Sequence, residues 1–112
     1  MGKDRIHLND LVGEKFELAD AIDYQTGSIV SRTLIDKKAA TLTVFALDEG
    51  QSISEHTAPH TAILQVIDGT AIVTIDERDH ELNAEEAIVL PPDVPHAVDA
   101  PSKFKMLLTM VR

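Results

Sequence analysis

From Gly27 onward the chain is written in short β-branched runs, each closed by turn-forming residues, and this punctuation constrains the fold more than any other feature. The runs "SIVSRTLI", "AATLTVFAL", "AILQVI", "TAIVTI", "EAIVL" and "FKMLLTMVR" are rich in Val, Ile, Thr and Leu. Between them lie "DEGQ", "DGT", "DERD" and "PPDVP". Strands spaced by roughly 8–12 residues predict an all-β sandwich or barrel, because βαβ units need a helical pattern between strands. "VIDGTAIV" predicts a tight hairpin, with Asp68 and Gly69 supplying the positive φ angles of a primed turn. A second hairpin is expected to turn through "DERD", which lacks glycine.

Several runs are apolar on both side-chain parities, "TAIVTI" and "MLLTMV" most clearly. Strands of that kind are covered on both faces. One face fills the interior, and the other is expected to meet a second sheet or a second subunit. A homodimer is therefore predicted. The first 26 residues are mixed and polar, and "NDLVGEKFELAD" reads as weakly helical or irregular. The chain thus divides into a segment, residues 1–26, that packs on the barrel or a partner, and a barrel domain, residues 27–112. Met1 to Asp4 are polar and uncapped, and are expected to be poorly ordered.

A chain of 112 residues is long enough for one hydrophobic core. It has 19 acidic against 10 basic residues, a net charge of −9 that repels nucleic acid and anionic membranes alike. No run approaches the ~20 apolar residues of a membrane span. "MGKDRIHL" offers no apolar core for a signal sequence, so a cytoplasmic location is expected. Cysteine is absent, which removes disulfides, thiol nucleophiles and thiolate metal sites.

What remains for chemistry is histidine. "EHTAPH" places His56 and His60 four apart, and "PPDVPH" ends on His96. Pro91, Pro92 and Pro95 cannot donate to a strand ladder, so "PPDVP" reads as a stiff loop delivering His96 to a strand start. Positions i and i+4 on a regular strand lie about 13 Å apart, so His56 and His60 converge only if the chain bends between them. Pro59 makes such a bend feasible. His7 and His80 read as solvent-facing, and Glu55 and Gln65 have the wrong parity to face a pocket with His56.

The spacing of these residues resembles the cupin family. Its first motif is a glycine, five residues, His-x-His, a glutamate three or four residues on, and a further glycine. Gly50 lies six before His56 and Gly69 thirteen after it, which fits that frame. The second motif is a glycine, five residues, Pro-x-Gly, two residues and a histidine. Pro91, Asp93 and His96 hold that spacing, with Asp93 at the turn glycine and Glu85 at the leading one. The resemblance implies a double-stranded β-helix, the jelly-roll antiparallel barrel.

The resemblance also implies a divalent metal held by two histidines and a glutamate from the first motif and a histidine from the second. His56 and His96 match two of these positions, whereas Ala58 and Ala62 stand at the other two. A metal centre here needs His60 as its third ligand. A site of His56, His60 and His96 would suit Zn, Fe, Ni or Cu, with Mn a further candidate. Two readings follow. In one, the three histidines hold an ion with open positions for a small-molecule substrate and dioxygenase- or isomerase-like chemistry. In the other, a metal-free pocket uses the same imidazoles to bind a small ligand without catalysis. Phe104, Met106, Leu108 and Met110 alternate on one face of the last run and read as core residues, and the resemblance implies that some of them also form the apolar wall of that pocket.

Overall fold

The computed structural model describes residues 11–112. The expectations for His7 and for Met1 to Asp4 lie outside the described residues. After a short 3-10 helix, η1 (Leu18–Ala21), come nine strands. They are β1 (Ile29–Asp36), β2 (Ala40–Leu47), β3 (Ser52–His56), β4 (Thr61–Asp68) and β5 (Thr70–Ile75). The chain continues through β6 (Arg78–Asn83), β7 (Ala87–Leu90), β8 (His96–Asp99) and β9 (Phe104–Val111). Each β-branched run has become a strand. The remaining three, β3, β6 and β8, are short and carry much polar sequence.

The strands form two antiparallel sheets, a five-stranded one in the order β1-β2-β9-β4-β7 and a four-stranded one in the order β3-β8-β5-β6. Their inner faces close on one core in which Leu47, Leu64, Val66, Val73, Phe104 and Met106 are fully buried. This is the all-β architecture of the jelly-roll kind. The second apolar parity has a partner within the chain. Ala21 and Ile22 pack on Val44 and Ala46 of the outer face of the five-stranded sheet. Polar contacts hold that segment down. Lys105 Nζ donates to the Ala19 carbonyl at 2.5 Å, and Arg32 to the Ala21 carbonyl at 2.9 Å. Tyr24 donates its hydroxyl to Asp68 Oδ2 at 2.6 Å, with the ammonium groups of Lys103 and Lys105 each 4.9 Å from its ring centre. Burial, and then the Asp68 carboxylate, push the Tyr24 phenol well above its usual range.

One expected hairpin does not exist. β4 and β5 lie in different sheets, so Asp68 and Gly69 turn a corner between layers and do not close a ladder. Asp68 pairs with Lys105 of β9, while Thr70 pairs with Asn83 of β6. An Asp-Gly pair between two β-runs has the composition of a primed turn, but hydrogen-bond partners are chosen by the sheets and not by the turn. Gly69 is needed for a different reason. Its φ is +80°, and a Cβ there would collide with the Lys103 carbonyl oxygen and lie 2.9 Å from Phe104 Cα. The "DERD" hairpin does form: β5 and β6 pair through Asp76 and Glu77, at φ 49° and 69°. Two successive positive φ values make a primed turn without glycine.

Glu85 and Asp93, which occupy two glycine positions of the second motif frame, also have positive φ, 77° and 65°. The backbone keeps a glycine conformation at both places while the side chains have changed. A non-glycine residue there costs about 1–2 kcal/mol, partly offset by the greater unfolded-state freedom of glycine. Glu85→Gly and Asp93→Gly should each stabilise the chain by about 0.5–1 kcal/mol. A urea midpoint that stays still or falls in both variants would contradict this.

Candidate functional site

The site is assembled where β3 ends and β8 begins. These strands pair antiparallel, and His56 stands directly across from His96 after a register shift between Ile53 and His56. The proline loop before His96 is pinned at two points. Asp93 donates its N–H to the Ala58 carbonyl at 2.8 Å, and the Pro95 carbonyl accepts from the N–H of Asp76 at 2.9 Å. The loop is thus tied both to the β3–β4 connection and to the β5–β6 turn. His96 enters its strand from a fixed direction.

The two imidazoles meet edge to face, with ring centres 4.3 Å apart and planes at 68°. His96 is 7% exposed, while His56 closes the pair from the solvent side. His56 Nδ1 lies 2.8 Å from the Ser54 carbonyl, and His96 Nδ1 lies 3.2 Å from the Val94 carbonyl. A carbonyl only accepts, so each Nδ1 carries the hydrogen. In the neutral rings both Nε2 atoms are then acceptors, and they face each other at 3.1 Å. That contact is a hydrogen bond only if a hydrogen lies between them.

Beside the pair is a cavity of about 140 Å³. Phe45, Leu64, Leu90, Met106 and Leu108 form its wall on the five-stranded sheet, and Ile53 and Val98 on the other. Met106 and Leu108 are the expected apolar wall from the last strand. Phe104 and Met110 belong to the adjoining core and do not line the cavity. The other wall residues went unremarked in the sequence because they come from five strands, and inner-face parity is the sole signal each one carries.

His60 does not join the pair. The chain bends at Pro59 and His60, but the bend carries it from one sheet to the other. His60 ends half-buried in that crossover and does not line the cavity. Ala62 is buried in the core, and among the described residues no three His, Asp or Glu side chains gather closely enough to hold an ion. The 3.1 Å separation of the Nε2 atoms does match two ligands on one ion, which at Zn–N distances of 2.0–2.1 Å sit roughly 3.0–3.4 Å apart. The number of donors is the obstacle. Catalytic zinc sites have three protein ligands and structural ones four, whereas two neutral imidazoles leave the ion's charge unbalanced. The donor set does not fit a tightly held resident metal.

Burial holds the His96 imidazole below its usual range, the Val94 carbonyl pulls it upward, and the nearby His56 lowers it again. A histidine depressed in the folded state takes up its proton more readily once unfolded. Its contribution to stability is therefore intact above about pH 6.5 and declines as pH falls through that value toward the lower folded pKa. Urea midpoints measured from about pH 8 to pH 5 should fall in the wild type and fall less in His96→Gln. Equal slopes would contradict the account.

Glu55 is exposed, as its parity implies. His80, expected to face solvent, is instead half-buried on the same face of β6 as the core residue Leu82. It lines a cleft of about 390 Å³ with Glu86 and Ile88, at the β6 and β7 edges of the two sheets. The turn takes up Asp76 and Glu77 alone, so the ladder resumes at Arg78 and His80 lies within it, paired with Val73.

The Cupin domain family model matches residues 43–112 of the chain. A conserved protein of unknown function from Streptococcus pyogenes has a similar structure, with 30% identity and a TM-score of 0.88, over 100% of this chain and 97% of its own. A cupin 2 conserved barrel domain protein from Leptotrichia buccalis is 37% identical with a TM-score of 0.84. That match covers 87% of this chain and 47% of the other. A cupin superfamily protein from Desulfitobacterium hafniense, 23% identical, shares the fold at a TM-score of 0.84 over 88% and 91% of the two chains. No curated protein matches the chain.

Proposed function

The chain belongs to the cupin domain family, and because that fold hosts many unrelated chemistries, we propose a function from the cavity itself: it binds a small molecule against the His56–His96 pair without a resident metal. The observation that carries this reading is the contact of two Nε2 atoms at 3.1 Å on the edge of an apolar cavity. Seven apolar side chains hold the body of a ligand and two imidazoles fix one polar end. That is the usual composition of a small-ligand site. A cavity of about 140 Å³ suits a molecule of benzene size, as apolar cavities near 150 Å³ do. A set of such fragments should shift the ring signals of both histidines and the methyl signals of Met106 and Leu108 in NMR spectra. If no fragment of that size moves them, the binding reading is lost.

The metal-dependent reading rests on the fit of the Nε2 separation to two ligands on one ion. A chelating substrate would have to bring further donors, and His60 would have to swing out of the crossover. On the binding reading, His60→Ala leaves fragment affinity unchanged. On the metal reading, it lowers metal content as much as His56→Ala does.

The chain is further proposed to work as a homodimer through the outer face of the five-stranded sheet. Ile35, Leu42, Thr109, Ile63 and Val89 stand in register across all five strands. Ile35, Ile63 and Val89 are 46%, 41% and 55% exposed, and no member of the row is charged. On a chain of net charge −9, an uncharged apolar row suits a like-charged second copy better than a basic partner. Sedimentation should give twice the 12.2 kDa chain mass, and Ile63→Lys with Val89→Lys should give the single chain. A wild-type monomer at micromolar concentration would contradict this.

A further inference from the structure

We propose that the ligand class of this cavity is a small neutral molecule with one hydroxyl donor on an apolar body, phenol being the simplest example. This inference rests on the binding reading above and narrows it. Both Nδ1 atoms are committed to backbone carbonyls, at 2.8 Å from Ser54 and 3.2 Å from Val94. Two acceptor nitrogens therefore converge on one point at the cavity edge, 3.1 Å apart, with no donor side chain among the residues lining the cavity. A group arriving there must bring its own hydrogen. Amides and carboxylates bring acceptors as well, and those would face the same lone pairs. A hydroxyl can donate to either Nε2 and turn its oxygen lone pairs toward the open side of His56.

The rest of the cavity excludes charge. No Lys, Arg, Asp or Glu lines it, and its remaining seven side chains are apolar. A carboxylate placed there would have no cation to offset its desolvation, and the net charge of −9 opposes its approach. An ammonium would find acceptors, but it would lose most of its hydration in a space of about 140 Å³. A purely apolar molecule fits the walls and leaves both nitrogens unsatisfied. The size bounds the ligand at about six to eight non-hydrogen atoms, comparable to a benzene ring with one or two substituents.

Four monosubstituted benzenes separate these cases: phenol, toluene, benzoate and benzylamine, with benzoate the bulkiest, each titrated into the wild type and His56→Ala near neutral pH. Phenol should bind about 10- to 100-fold more tightly than toluene, the range expected when a buried acceptor is satisfied or left unpaired. Benzoate and benzylamine should bind more weakly than phenol. In His56→Ala, whose replaced side chain lies at the solvent side, the phenol advantage should shrink while toluene affinity stays within about threefold. Equal affinities for phenol and toluene would overturn the hydroxyl class yet leave the cavity as a binding site. Benzoate as the tightest probe would overturn it in favour of a protonated, anion-binding pair. If none of the four binds, both this inference and the reading beneath it fall.

Discussion

Gly69→Ala should cost about 3–5 kcal/mol, enough to leave much of the chain unfolded. Two effects add at this corner. A residue with a Cβ at φ +80° loses about 1–2 kcal/mol. The new methyl also meets backbone, the Lys103 carbonyl and Phe104 Cα, so nothing flexible can move aside. Because Phe104 is fully buried and its strand lies at the centre of the five-stranded sheet, a shift there propagates into the core. Gly27→Ala is the control. Gly27 has φ +69° but open space around it, so its substitution should cost only the conformational part. Urea unfolding of both variants checks the difference. Equal losses would mean that the close approach at Gly69 contributes nothing.

The largest effect on binding should come from the histidine pair. His56→Ala or His96→Ala alone leaves one acceptor nitrogen for the hydroxyl and should weaken phenol by only a few-fold, whereas the double variant should weaken it by about 10- to 100-fold. Non-additivity is expected because one hydroxyl is shared between two nitrogens 3.1 Å apart. His96→Ala should also lower stability by about 1–3 kcal/mol, since it empties buried volume. His60→Ala should change neither quantity. Independent, additive losses from His56 and His96 would show that the two rings bind separately.

Much of this arrangement is legible in the sequence, and what is not has identifiable causes. The strand runs are visible because Val, Ile and Thr mark them and because "PPDVP" and "DERD" punctuate them. The cupin spacing locates His56 and His96, forty residues apart in sequence and in direct contact in the fold. The partners of β4 and β5 are not legible, since Asp68-Gly69 has the same composition whether it closes a hairpin or turns a corner. The place of His60 is hidden for a related reason. A proline bend at Pro59 satisfies the local requirement for His56 and His60 to approach, but the direction of the bend is set by strands from the other sheet. Which residues Ala21 and Ile22 pack against is likewise not legible, because a segment of mixed polarity gives no periodic signal of its partners.

We propose His56 and His96 as a pair of acceptors and not as two ligands of a resident ion. The most direct test is the metal-to-protein ratio of chain purified without chelator, incubated with Zn, Ni, Fe(II) and Mn in turn, and desalted. Two imidazoles without a third protein ligand predict a ratio well below one for every ion. Nitrogen NMR of the same samples should find the hydrogen on Nδ1 of both rings. A ratio of one ion per chain that survives desalting and is lost in His60→Ala would contradict the account, because it would require the three histidines to meet around a metal.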